Sequence, residues 1–171
     1  IRLSALFPRT SSEIDLFNKS EWTGDETADR RFYLTFDDGP TAPGGNTDKV
    51  LEMLAAEKKT AVFFVLGKNL SARQKANGST ATARSYQGQC VAAHGREHLS
   101  HEKRSKYAVG NSWQNSITDT MDLLRDTFNE ATVAKLFRPP YGQRKADSGA
   151  FFEQNGLQVA LWNIDSQDWN S

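Results

Sequence analysis

Six consecutive apolar residues, Ala61-Val62-Phe63-Phe64-Val65-Leu66, form the longest uninterrupted apolar run in the 171-residue chain. A strand with one buried face alternates apolar and polar side chains. A run without any polar position buries both faces, as a parallel sheet or barrel covered by helices requires. This favours an α/β architecture over a sandwich. The run is far shorter than the roughly 20 apolar residues of a bilayer-crossing helix, and no charged-then-apolar leader opens the chain, so no membrane span is expected.

The remaining punctuation agrees with that reading. Phe32 to Phe36 is an aromatic and β-branched strand that stops at Asp37-Asp38-Gly39-Pro40. After a Pro/Gly loop, Asn46 or Thr47 is expected to cap a helix with Val50, Leu51 and Leu54 on one face. A short helix is expected within the Ala/Ser/Thr/Gly-rich stretch 68–89, followed by a strand at Cys90 to Ala92. Trp113, Ile117, Met121, Leu124 and Phe128 line one side of a clear helix. A strand at Lys135 to Phe137, a helix starting at Ala150 and closed by Gly156, and a strand from Leu157 to Trp162 complete the pattern. Alternating strands and helices imply right-handed parallel crossovers. Residues 1–30 carry no sustained period and are expected to be an arm or linker ahead of one domain spanning 31–171.

Composition excludes several classes of function. Lys plus Arg equals Asp plus Glu at 21 each, and no basic block is present to neutralise phosphates, so nucleic acid is not an expected partner. Cys90 is the single cysteine, which excludes an internal disulfide and a Cys-x-x-Cys zinc site. Any metal has to be held by His, Asp or Glu.

The chemically distinctive residues fall just beyond the carboxyl ends of expected strands, the rim where α/β active sites assemble. Asp37 and Asp38 follow the first strand, and a turn there splays their side chains so that one can bind metal while the other moves protons. All three histidines, His94, His98 and His101, lie within eight positions after the third strand. Gly95 disfavours a helix between them, so a loop with imidazoles turned inward fits better. Two histidines and a carboxylate leave a coordination position open for water, as catalytic zinc sites do. Arg138-Pro139-Pro140-Tyr141-Gly142 is stiffened by its prolines, which holds Arg138 and Tyr141 rigidly. Asp165-Ser166-Gln167-Asp168-Trp169 follows the last strand.

Together, Thr35-Phe36-Asp37-Asp38-Gly39-Pro40, His94-x-x-x-His98, Arg138-Pro-Pro-Tyr141-Gly142 and Asp165-Ser-x-Asp168-Trp169 resemble the polysaccharide deacetylases with the NodB-homology domain, carbohydrate esterase family four. The resemblance implies a distorted, incomplete (β/α) barrel and hydrolytic removal of acetyl groups from N-acetylglucosamine-containing or O-acetylated polysaccharides. It implies Asp37 as general base, Arg138 pairing with Asp37, and Asp38, His94 and His98 as ligands to zinc or another divalent cation such as cobalt. It further implies an oxyanion contact from the Tyr141 N–H, a substrate groove formed with Pro139, Tyr141 and Trp169, and an Asp165 that tunes an acid histidine. The partner is then an acetylated oligo- or polysaccharide met by a monomer, at an extracellular, periplasmic or cell-surface location.

Two departures stand out. The family motif reads His-Ser/Thr-x-x-His, but Gly95 stands at the Ser/Thr position, and Ser100 is the expected substitute for the lost hydroxyl. His98 with His101 remains an alternative ligand pair to His94 with His98, which keeps the family spacing. The family also carries a later Leu-x-x-His strand, and no histidine follows His101 before Ser171, so the expected barrel lacks its last strand in this chain. The alternatives to a deacetylase are a catalytically impaired glycan-binding module and a metal hydrolase of small non-sugar amides.

Overall fold

The computed structural model describes residues 21–99, 112–144 and 148–170. One sheet contains β1 (Glu21–Trp22), β2 (Thr35–Phe36), β3 (Val62–Val65), β4 (Cys90–Ala93), β5 (Val133–Phe137) and β6 (Gln158–Ala160), in the spatial order β1-β6-β5-β4-β3-β2. Every neighbouring pair is parallel. The helices are α1 (Asn46–Ala56), α2 (Gly67–Asn77), α3 (Ser79–Ser85), α4 (Trp113–Thr127) and α5 (Gly149–Gln154). The result is the distorted, incomplete (β/α) barrel that the strand-helix alternation implies. No helix among the described residues is long and apolar enough to cross a membrane.

The apolar run that anchors the sequence reading is buried on both faces. Phe63 and Val65 join the large core under the helices, with Leu51, Leu54, Leu70, Ile117, Met121 and Leu124. Phe64 points the other way, into a smaller cluster with Ala92 and Ala160 that Trp22, Val62, Ala134 and Leu136 partly cover. The two alanines keep this inner layer thin, which leaves room above Phe64 for a guanidinium described below.

Several boundaries differ from expectation. Only Thr35 and Phe36 of the expected strand 32–36 pair, because β3 offers partners from Val62 onward, and Phe32 and Tyr33 are exposed. Glu21 and Trp22, expected in the arm, form the edge strand β1 against β6. Stretch 68–89 holds two helices, broken at Gly78, where φ is +80°. Its helical face is cryptic because Arg73, a charged residue, is one of its buried positions, bonded to Asp48, to the Thr41 carbonyl and to Ser85. Neither Asn46 nor Thr47 caps α1; Gly45 does, without a side-chain bond. Thr47 is engaged instead in a reciprocal pair with Thr41, each hydroxyl accepting the other's N–H at 2.9–3.0 Å. That pair stitches the loop after Asp37-Asp38 onto α1. Helix α4 runs as expected, with Ser112 capping it by accepting the Asn115 N–H.

Candidate metal and catalytic site

The splaying of Asp37 and Asp38 has a backbone origin. Asp38 takes φ +67°, a left-handed conformation that Asp tolerates better than bulky residues do. The turn is fixed on both sides, since the Leu66 N–H donates to the Gly39 carbonyl and the Asn69 amide donates to the Asp38 carbonyl at 2.7 Å. The two carboxylates consequently face different partners.

Asp37 faces Arg138. Its Oδ1 accepts from Arg138 Nη1 at 2.9 Å, and the same nitrogen donates to Thr35 Oγ1 at 2.8 Å. Arg138 Nε and Nη2 donate to the carbonyls of Ala160 and Leu161, and the guanidinium lies 4.0 Å from the Phe64 ring centroid and 5.5 Å from that of Trp162. The side chain is 3% exposed. Burial lowers its proton affinity, and the Asp37 charge and hydrogen bond oppose that.

Asp38 faces the histidines. Its Oδ1 lies 3.3 Å from His94 Nε2 and 3.6 Å from His98 Nε2. One donor atom from each of the three residues falls within 4.8 Å of the other two. His94 is buried, with its N–H donating to the Val65 carbonyl and its Nδ1 lying 2.6 Å from the Arg138 carbonyl. A carbonyl can only accept, so Nδ1 carries a proton, and Nε2 is the ring nitrogen turned toward Asp38. The His94 hydrogen bond is the largest influence on Asp38 and, with both imidazoles, holds its carboxyl below the usual range against the opposing effect of burial. Burial pulls His98 below the ordinary histidine value, outweighing the pull of Asp38. One carboxylate and two imidazole nitrogens are a donor set that a divalent transition metal takes, so the residues fit the expected ion.

Tyr141 completes this wall. It sits at φ +61° in the turn Pro140–Gly142, which the Gly142 N–H to Pro139 carbonyl bond closes, and its ring meets His98 at a centroid separation of 4.3 Å. No acceptor for the Tyr141 N–H is found among the described residues. Pro139, ahead of this turn, is buried.

The last segment, Asp165 to Trp169, follows β6. Asp165 accepts the Gln167 N–H inside its own turn, and Trp169 is 74% exposed. His101 and Ser100, the alternative ligand and the expected hydroxyl, lie outside the described residues. A hydroxyl for the histidine loop is present from another source: Ser116 on α4 accepts the Arg96 N–H at 2.8 Å.

Four contributors escape the sequence reading. Alternation along β2 puts Thr35 on the same side as Asp37, a signal that could have revealed its bond to Arg138. Trp162, Ser116 and the buried Glu21–Arg144 pair carry no comparable signal, because their partners are distant in sequence. Arg144 grips Glu21 with two bonds of 2.5 Å and donates to the Gly142 carbonyl, so β1 is tied to the Tyr141 turn.

Comparison with known proteins agrees with this geometry. Residues 24–160 match the family model described as polysaccharide deacetylase. The peptidoglycan-N-acetylglucosamine deacetylase PgdA of Listeria monocytogenes is 31% identical over 140 residues, covering 82% of this chain and 27% of that protein. The chitooligosaccharide deacetylase of Rhizobium leguminosarum bv. trifolii is 30% identical over 142 residues, covering 83% of this chain and 60% of that protein. The chain thus spans between about a quarter and three fifths of these two relatives. Among solved structures, the family 4 carbohydrate esterase from Streptomyces lividans, in complex with acetate, aligns with a TM-score of 0.64 at 28% identity, covering 84% of this chain and 68% of that one.

Proposed function

This chain belongs to the polysaccharide deacetylase family, and we propose that it removes acetyl groups from N-acetylglucosamine-containing or O-acetylated polysaccharides, using a divalent cation held by Asp38, His94 and His98 and Asp37 as general base. The observation that carries this reading is the division of labour at the Asp37-Asp38 turn, where one carboxylate joins two imidazoles and its neighbour is held on Arg138.

Zinc, or another divalent cation such as cobalt, would supply polarisation of the acetyl carbonyl and a more acidic water. Asp37, oriented by Arg138, accepts a proton from the attacking water, a contribution of about 10²–10⁴-fold for a positioned base. Water oxygen bonds to the acetyl carbon, the bond from that carbon to the sugar nitrogen or oxygen breaks, that nitrogen or oxygen takes up the proton removed from the water, and acetate leaves. The Tyr141 N–H is available to the oxyanion, a contact typically worth about 2.7–4 kcal/mol per donor. Pro139, Tyr141 and Trp169 are assigned to the sugar groove. The substrates for which these relatives are named, peptidoglycan and chitooligosaccharide, support a glycan as partner and an extracellular, periplasmic or cell-surface setting.

The test is acetate release from a panel of N-acetylglucosamine oligomers and acetylated xylan with zinc or cobalt added, on this chain and on a version extended at its C-terminus. Release is expected to disappear in Asp37→Asn while bound metal is retained, and His94→Ala is expected to lose the metal. Undiminished release in Asp37→Asn would overturn the base assignment. Sugar binding without release in either version would favour a glycan-binding module instead.

A further inference from the structure

We infer that the Ser116 hydroxyl on α4 is a positioning residue that sets the separation of the two histidine ligands, an inference that rests on the metal reading above. Arg96 lies midway between His94 and His98, and its N–H donates to Ser116 Oγ at 2.8 Å. Ser116 is 6% exposed, so water does not compete freely for that bond. The loop's carbonyls are taken from the opposite side by the first turn of α2: the Gly67 N–H donates to the Gly95 carbonyl at 3.0 Å and the Lys68 N–H to the Arg96 carbonyl at 2.9 Å. Two helices therefore hold the backbone between the ligands, one through its opening amides and the other through a single hydroxyl.

Position 95 is poorly suited to carry this hydroxyl itself. Gly95 sits at φ +92°, where an L side chain is strained, and a Cβ there would stand 3.3 Å from Ser116 Oγ and 3.4 Å from the Glu97 carbonyl oxygen. Ser116 Oγ occupies the space a side chain at position 95 would use. The two helices are also locked to each other. Thr120 Oγ1, which donates to the Ser116 carbonyl at 2.8 Å, would lie only 2.7 Å from a Cβ at Gly67, so glycine there lets α2 press against α4. The amides at 67 and 68 and the hydroxyl at 116 thus form one rigid frame. The ion pairs over it, Lys68–Glu97 at 3.2 Å and Arg96–Asp119 at 3.8 Å, are exposed and add little.

The two ligands depend on this frame unequally. His94 is fixed by its own bonds to the carbonyls of Val65 and Arg138. His98 is one-third exposed and touches His94 and Tyr141 through ring contacts, so its position follows the backbone of the loop. Loss of the Ser116 hydroxyl is therefore expected to act on metal affinity through His98. Removing outer partners of a metal site typically weakens affinity about 10–100-fold.

The experiment is zinc affinity by competition with a chelating dye, on the full chain, for wild type, Ser116→Ala, the near-isosteric pair Ser116→Thr and Ser116→Val, and Ser112→Ala. Ser116→Ala is expected to bind zinc about 10–100-fold more weakly. Ser116→Val is expected to bind more weakly than Ser116→Thr, which keeps the hydroxyl at the same shape. Ser112→Ala removes the cap of the same helix, destabilises the fold, and is expected to leave zinc affinity unchanged. A visible spectrum of the cobalt-loaded protein that differs between Ser116→Thr and Ser116→Val would report altered coordination directly. Wild type that binds no zinc refutes the metal reading itself. Wild-type affinity retained in Ser116→Ala, or equal affinity in the Thr and Val variants, refutes the role of Ser116 while leaving the metal reading intact.

Discussion

Arg138 shows how one side chain can organise a site through what surrounds it. Taking a guanidinium out of water is costly, and the cost is offset only when its donors are satisfied. Here Nη1 reaches Thr35 and Asp37, Nε and Nη2 reach carbonyls on the β6 side, and the flat face rests on Phe64. Asp37 is consequently gripped by a cation that cannot rotate. Thr35→Val removes the hydroxyl at nearly constant volume and leaves a buried charged donor short of one acceptor, so a stability loss of about 1–3 kcal/mol is expected in urea unfolding. Because the freed donor is the nitrogen that holds Asp37, the same variant is expected to lower kcat while leaving zinc affinity as in wild type. Wild-type stability together with wild-type kcat would show that Thr35 does not hold the arginine. The pairing of Asp37 with Arg138 and the choice of Asp38, His94 and His98 followed from the family resemblance, while the clustering of the histidines with an Asp-Asp turn pointed to a metal without fixing the histidine pair. Thr35 was within reach of period-two alternation. Ser116 was not, since nothing local marks a helical serine as the acceptor for a loop twenty residues earlier.

The strands and helices divide by how much pattern each is long enough to display. β3 has apolar residues on both faces and α4 repeats its apolar positions over four turns, so both were legible. β1 is two residues long, too short to show any period, and it presents a glutamate and a tryptophan. Inside the fold, Glu21 is met by a bidentate pair from Arg144, 123 positions away, which also holds the Gly142 carbonyl. This pair makes β1 part of the folded unit and ties it to the Tyr141 turn. Glu21→Ala leaves the arginine buried without its bidentate partner, and removing one member of a buried ion pair typically costs about 3–5 kcal/mol. The double variant Glu21→Leu with Arg144→Met leaves no charge buried at this position and is expected to cost less than the single change. Denaturant midpoints of the single and double variants check both statements. A Glu21→Ala protein as stable as wild type would return β1 to the status of an arm.

At the scale of the molecule, alternating β and α elements placed the motifs on one rim, and the rim is where the structure brings Asp37, Asp38, His94, His98, Arg138 and Tyr141 together. The proposed ligands come from the ends of two strands, β2 for Asp38 and β4 for His94 and His98, with β3 lying between them in the sheet. An ion bound there ties two crossover units together in the native state and finds no such arrangement in the unfolded chain. Binding to the native state alone stabilises it by about 2.7 kcal/mol at a free ligand concentration 100 times Kd. For a chain of this size each kcal/mol moves Tm by roughly 2–4 °C, so saturating zinc is expected to raise Tm by roughly 5–11 °C. EDTA should reverse the shift, His94→Ala should abolish it, and Asp37→Asn should preserve it, because Asp37 faces Arg138 and not the imidazoles. A shift that survives in His94→Ala would mean that zinc binds elsewhere. Loss of the shift in Asp37→Asn would mean that the two carboxylates share the ion, and the division of labour at the Asp37-Asp38 turn would fall with it.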